Sequence, residues 1–458
     1  MQMDSSFLIL SALGVYALVM IVIGLLSARK DDAEGFVIGN RNVGLIPTIG
    51  SLSAGFRDGA GIVFWVGAGA TATFGGLWLL FGALLGYLFF SFVGPSVRKR
   101  AVENDYITIG QIIKNELGWK TEKVTSLIVA VFSIMLVAMQ LFVSGNLISS
   151  LSPLGADISI MIVALTVGFY LLIGGYGNVI KTDAIQFFLI LSLVCLPFFV
   201  KIDFTPFLNA ENYKSYGTSM TFALFLLGGF YVLTASDTWQ RVFSARDDKI
   251  IRVAFPISAV MLLFMTVSLF FLGMTAKKLL PQDVDWGNAF FLIFEHGALP
   301  PYLLAYIAVV CIAITMSTLD TLSYLAASTF LKNILPEEVT EKRGDYVRLT
   351  RICLLVVLTV GALLATSIGD VVKYLFDAAS LLFILAPIYV MAGLGWLKKC
   401  EKLDLFFAVS TVVSVGLYIY MFKEGYFLDL IMIYVPACLN ILLCGLARLF
   451  SEKCLQNA

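Results

Sequence analysis

Ser53-Ala54-Gly55-Phe56-Arg57-Asp58-Gly59-Ala60-Gly61 sets an arginine, an aspartate and three glycines inside one apolar run. From Gly44 to Gly59 is 15 residues, roughly 22 Å at 1.5 Å per residue. That reaches the middle of a hydrocarbon core about 30 Å thick. Charge at that depth is costly and marks function by default, and each glycine costs a helix about 1 kcal/mol relative to alanine. Two readings follow. Arg57 and Asp58 neutralise each other or pair with other helices, or the helix is broken and its freed backbone groups line an ion or substrate site.

The rest of the chain gives this stretch its setting. Of 458 residues, 59% are hydrophobic and 14% charged, against about 25% charged in soluble domains. Apolar runs recur from end to end, at roughly 7–27, 45–68, 75–95, 122–148, 157–175, 182–201, 219–236, 250–273, 301–331, 347–367, 371–396, 403–421 and 427–448. The expectation is an all-α polytopic membrane protein with about thirteen spans and one integral-membrane domain over 1–458. Residues 1–6 carry no positive charge and the run from Phe7 is long enough to span, so this end reads as a helix rather than a signal peptide. Surface helices are expected near Ile107–Leu117 and Trp286–Phe294.

Lys and Arg set the expected orientation. With the N-terminus outside, 24 fall on inner segments and six on outer ones, Arg57 lying within a span. The positive-inside rule therefore puts the N-terminus out and the C-terminus in the cytoplasm.

Several chemistries are excluded. The single histidine, His296, supports neither a histidine metal site nor a Ser-His-Asp triad. The seven cysteines form no CxxC pair and read as small apolar helix residues. No GxxxxGK[ST] loop is present, so no ATP-driven P-loop is expected. Basic and acidic residues balance at 31 each, which gives nucleic-acid binding no support.

Three further spans hold polar residues at depth. The seventh carries Gly228-Gly229-Phe230-Tyr231, a second glycine pair. Two interrupted helices, each opening a set of five spans, are the mark of an inverted-repeat transporter. The repeats would be about 45–201 and 219–396, with helices 7–27, 403–421 and 427–448 peripheral. The ninth carries Ile314-Thr315-Met316-Ser317-Thr318-Leu319-Asp320-Thr321. Ser317, Asp320 and Thr321 share a face and, with Thr318, offer hard oxygens suited to an alkali cation. Hydroxyls bonding back to their own helix account for the Ser and Thr residues but not for Asp320. Asp183, after Thr182, reads equally as a first-turn acid favoured by the helix dipole. Gln140, in the fourth span, reads as a helix–helix hydrogen bond.

These residues together resemble the sodium/solute symporter family over about residues 35 to 400. The resemblance rests on Ala33-Glu34-Gly35-Phe36 through Gly39-Asn40-Arg41, and on Gly174-Gly175 to Thr182-Asp183-Ala184-Ile185-Gln186. It continues in Gln240-Arg241-Val242-Phe243-Ser244-Ala245-Arg246-Asp247 and Met316-Ser317-Thr318-Leu319-Asp320. It implies a LeuT-like five-plus-five inverted repeat with discontinuous helices two and seven, and sodium-coupled alternating access. It also implies a sodium site built from Phe56, Gly59 and Ile314 carbonyls with Ser317 and Thr318 hydroxyls. A second sodium site, present in some members, carries over onto Asp183, Ser317, Asp320 and Thr321. Tyr231 falls where sugar-carrying members place a gating tyrosine. Gly228 stands where those members show an asparagine, which argues against a sugar. Asp58 falls where members resembling proline carriers have an acid, and Arg57 beside it is a departure.

The expected function is sodium-coupled import of a small organic solute across the plasma (inner) membrane, among lipid and without ATP. Arg57, Asp58, Gln140, Gly228 and Tyr231 are the candidate solute residues. An arginine and an aspartate at one break suit a zwitterion or carboxylate, so an amino acid or organic acid is expected. Two other classes compete with that reading. A transporter-like membrane sensor needs an output domain, and an intramembrane hydrolase would use paired aspartates such as Asp183 and Asp320. Sodium-driven solute uptake separates the three.

Overall fold

The computed structural model describes residues 2–27, 41–55, 58–199, 205–214, 217–335, 343–395, 401–426 and 430–456. Phe56, Arg57 and the 33–40 part of the first motif lie outside them. In chain order the helices are α1 Gln2–Ser27, α2 Leu45–Gly55, α3 Gly59–Ala70, α4 Leu77–Glu103, α5 Ile109–Glu116 and α6 Trp119–Ser149. They continue as α7 Ala156–Leu191, α8 Gly217–Thr234, α9 Ser236–Ser244, α10 Asp248–Leu279, α11 Ala289–Glu295 and α12 Pro301–Thr329. The last are α13 Arg343–Ala365, α14 Val371–Phe383, α15 Ala386–Leu394, α16 Glu401–Lys423 and α17 Val435–Gln456.

Nine helices among the described residues are long and apolar enough to cross a membrane. A tenth crossing is the pair α14 and α15, bent by 47°. The second, sixth and thirteenth expected spans fall on shorter apolar helices. The bundle's outer face is apolar, with Phe7, Phe92, Leu165 and Leu442 exposed, as a lipid-facing surface requires. The two expected surface helices are present as α5, opened by a Thr108/Gln111 capping box, and as the short turn at Trp286–Asn288 leading into α11.

Two boundaries differ from the sequence reading. The expected fifth and sixth spans form one helical run, α7, continued by a 3-10 segment Ser192–Phe198 that contains Pro197. The connection between them carries no proline and is itself helical. The second difference is in the seventh span. Gly228 and Gly229 lie inside the unbroken helix α8, and the break comes later, at Ala235, whose ψ of 108° turns the chain into α9.

Close packing accounts for the glycines in α8. A Cβ on Gly228 would overlap the carbonyl oxygen of Leu79, and one on Gly82 would overlap that of Phe225. The backbones of α4 and α8 thus touch through reciprocal glycines. Gly69 of α3 and Gly273 of α10 repeat the device, facing the carbonyls of Phe270 and Val66. Such contacts hold helices together where lipid offers no hydrophobic drive. Gly228→Ala is expected to cost about 1–3 kcal/mol through overpacking, read as a lower Tm of the purified protein. An unchanged Tm would mean that α4 and α8 separate freely.

At the centre lies α12, buried along nearly its whole length and packed against α1, α6, α7 and α13. The outer helix α16 is tied in by Asp404, which caps α6 by accepting from the Thr121 amide at 2.8 Å and the Lys120 amide at 3.1 Å.

Candidate functional site

The second helix is broken as the glycines imply, and the break is held open by named groups. Asp58 caps α3: its Oδ1 accepts from the Gly61 amide at 2.5 Å. Gln140 of α6 reaches across so that its Oε1 accepts from the Gly59 amide at 2.7 Å. Two of the orphan donors of a helix start are thereby satisfied. On the other side of the break, the Tyr87 hydroxyl donates to the Leu52 carbonyl at 2.8 Å. Gly59 itself is lodged between Val143 of α6 and Thr315 of α12, with no room for a Cβ. Gln140→Met removes the acceptor and leaves a buried amide unpaired. A loss of about 1–3 kcal/mol is expected, with a Tm equal to wild type counting against the bond.

The candidate cation residues of α12 flank Thr315, the residue that Gly59 touches. On α12, Thr318 Oγ1 donates to the Ile314 carbonyl at 3.2 Å, and Ser144 donates to Thr315 Oγ1 at 2.7 Å. Ser317 Oγ does not bond back to its own helix; it donates to Asp183 Oδ1 at 2.6 Å. Asp183 lies well inside α7 and is almost fully buried, so it is no first-turn cap. Its second oxygen accepts from Ser51 at 2.9 Å, and Ser51 in turn accepts from Arg241 Nε at 2.9 Å. Arg241 also pairs with Asp237, one turn earlier on α9. A buried chain of polar groups therefore runs from α9 through α2 and α7 to α12.

The guanidinium of Arg241 packs on Gly55, at the carbonyl end of α2. A cation is favoured at that end by the helix dipole. Asp320 is fully buried and accepts from the Tyr170 hydroxyl, while Gln186 donates to Tyr16 Oη at 2.8 Å. Thr321, next along α12, is buried too.

A small space lies between the two broken helices. A cavity of about 50 Å³ is lined by Asp58, Gly61, Phe64 and Trp65 of α3, by Leu227, Gly228 and Tyr231 of α8, and by Leu375, Phe376 and Ala379 of α14. Three of the five candidate solute residues thus face one space. Gln140 does not, being engaged at Gly59, and Arg57 is outside the described residues.

Phe64 and Phe376 also line a wider vestibule of about 550 Å³, with Thr71, Thr73, Asp285, Trp286 and Asp370. Their rings meet edge to face, 6.5 Å between centroids. In the opposite direction, among the described residues, lies a void of about 10 Å³ lined by Ser126, Ser236, Gln240, Asn333 and Tyr389. That end is sealed by polar contacts. Thr108 donates to Asn333 at 3.1 Å, Asn333 donates to Glu122 at 2.8 Å, and Ser236 and Tyr389 share a 2.6 Å bond across the α9 start. Among the described residues the bundle is open at one end and closed at the other.

Sequence reasoning missed Ser51, Tyr16 and Tyr170, and gave Arg241 and Gln186 no task. The arginine was legible only as part of a motif, because its partners come from helices far apart in the chain.

Two broken helices crossing beside a central helix, with a space between them open to one end, define a transporter of the LeuT-like fold. The chain belongs to the sodium:solute symporter family, whose model matches residues 36–215 and 201–394. It is 29% identical over 206 residues to the sodium/proline symporters of Staphylococcus aureus strains Newman and JH9. That match covers 43% of this chain and 40% of theirs, so it spans about two fifths of those relatives. Among solved structures it is similar to a substrate-bound, outward-open Na+-coupled sialic acid symporter, with a TM-score of 0.78, 16% identity and 96% of each chain covered. It is also similar to an Eremococcus coleocola manganese transporter, with a TM-score of 0.57, 12% identity and 93% of this chain and 97% of the other covered. These likenesses show a shared fold.

Proposed function

We propose that the protein is a sodium-coupled symporter that imports a small organic solute by alternating access. One observation carries the reading: the break of the second helix, at Gly59, abuts α12 at Thr315, beside Ile314, Ser317 and Thr318 in the chain. Sodium, as cargo, binds there to the Gly59 and Ile314 carbonyls and the Ser317 and Thr318 hydroxyls, with Phe56 completing the set. Asp183, Ser317, Asp320 and Thr321 form a second cation position.

Solute enters by the vestibule, passes Phe64 and Phe376, and rests between Asp58, Tyr231 and the α8 wall. The two rings, which already meet edge to face, part to admit it and meet again behind it, and the contacts around Asn333 and Ser236 then open. With the N-terminus outside, the vestibule faces outward and the sealed end faces the cytoplasm of the cell whose plasma membrane holds the protein. The repeats are about 45–201 and 219–396. The membrane potential contributes about 2.3 kcal/mol per charge per 100 mV.

The solute is an amino acid or small organic acid, its carboxylate held at Arg57. The closely packed Gly228 gives the cavity no polar side chain from α8 at that position, which weighs against a sugar. Uptake into proteoliposomes tests the reading: an inward sodium gradient should drive labelled amino acid or carboxylate to above equilibrium. Equal accumulation with sodium replaced by potassium would overturn it.

A further inference from the structure

On the far side of α14 from the vestibule lies a second recess of about 430 Å³, with walls from α14 and the end of α16. Asp377 sits in it. The residue is 5% exposed and meets solvent through the recess it lines. Among the described residues it accepts no hydrogen bond, and Lys373 and Asp370 line the recess beside it. A carboxylate with low-dielectric walls around it attracts a cation more strongly than one in bulk water, and here the open side of the group is the recess itself.

The remaining lining includes two aromatic rings. Tyr374 and Phe422 offer ring faces, and Tyr418 stacks on Phe422 at 6.2 Å. Asp370 adds a second carboxylate at the rim, its Oδ1 already accepting from the Val372 and Lys373 amides at 2.9 and 3.0 Å. Carboxylate and aromatic faces together select a cation of low hydration, an organic ammonium ion, over a strongly hydrated one.

The chain supplies its own comparison. Lys373 is an alkylammonium on a tether, one turn before Asp377, yet it stays exposed and makes no ion pair within 4.0 Å among the described residues. The i, i+4 order with lysine first is the weaker one, and a cation in the first turn of α14 opposes the dipole. We infer that the recess between α14 and α16 is a binding site for a small alkylammonium ion, with Asp377 as its counter-ion and Lys373 as a weak internal competitor.

The location gives such a ligand a consequence. Gly369 and Asp370 line both this recess and the vestibule. An ion bridging α14 to α16 therefore restrains the wall that carries Phe376.

The test uses the purified full chain in saturating sodium, with methylammonium chloride as probe and an equal addition of sodium chloride as control. Methylammonium is expected to raise Tm in wild type and not in Asp377→Asn. Lys373→Ala is expected to bind methylammonium at least threefold more tightly. Sodium-driven uptake in Asp377→Asn is measured alongside, so that a failure of the transport reading is seen separately. No methylammonium shift in wild type, the same shift in Asp377→Asn, or an equal shift from added sodium would each overturn the assignment.

Discussion

Arg241→Ala is expected to cost about 3–5 kcal/mol of stability, the range for removing one partner of a buried ion pair, and to abolish sodium-driven uptake. Arg241 is 4% exposed and bonds both Ser51 and Asp237, the latter with a side chain only 14% exposed. Its removal leaves Asp237 without its cation. It also leaves Ser51, which donates to Asp183, without the donor that polarises it.

Lysine would restore the charge but not the geometry. One guanidinium reaches Ser51 through Nε and Asp237 through Nη1 at once, which a single ammonium on a flexible stem does poorly. Arg241→Lys should therefore fold better than Arg241→Ala and still transport poorly. Adding Asp183→Asn to Arg241→Ala should recover part of the lost stability, because it removes a charge that the arginine balanced through Ser51. Thermal unfolding of the four proteins gives the coupling directly. Additive losses in Arg241→Ala and Asp183→Asn would show that the chain from α9 to α7 is not one energetic unit.

What the residues revealed in advance was what membrane physics forces locally. A charged pair among three glycines cannot continue a helix cheaply, and the second helix does break between Gly55 and Gly59. Ser317 and Asp320 lie on one face of α12 as their spacing requires. The seventh helix misled because a glycine pair has two uses in a membrane. Gly228 serves close approach to α4, whereas the break falls at Ala235, which no local propensity marks. Asp183 was ambiguous for a similar reason. A carboxylate after a threonine looks like a helix start until the chain before it is seen to be helical as well. Arg241, Ser51 and Tyr170 were out of reach, since their roles depend on which distant helices become neighbours.

The second large effect is expected at Ser317 and Thr318. The double substitution to alanine should raise the sodium concentration for half-maximal uptake at least tenfold, about 1.4 kcal/mol. In this structure neither hydroxyl is idle: Ser317 donates to Asp183, and Thr318 donates to the Ile314 carbonyl. Each donates its proton away from the oxygen lone pairs, so each can offer a lone pair to a cation without breaking the bond it makes. Alanine at both positions removes two buried oxygens from the proposed site. The single variants separate the roles. Thr318→Ala removes an oxygen and a bond internal to α12, so its effect should fall mainly on sodium. Ser317→Ala also takes a donor from Asp183, so it should lower Tm without sodium as well as weaken sodium binding. Ser317→Thr and Thr318→Ser keep the oxygens and should stay within a few-fold of wild type. Sodium titrations of uptake, paired with Tm measured with and without sodium, distinguish a ligand from a strut. If the double variant loses stability but keeps wild-type sodium dependence, the hydroxyls serve the Asp183 chain and the coupling ion binds elsewhere.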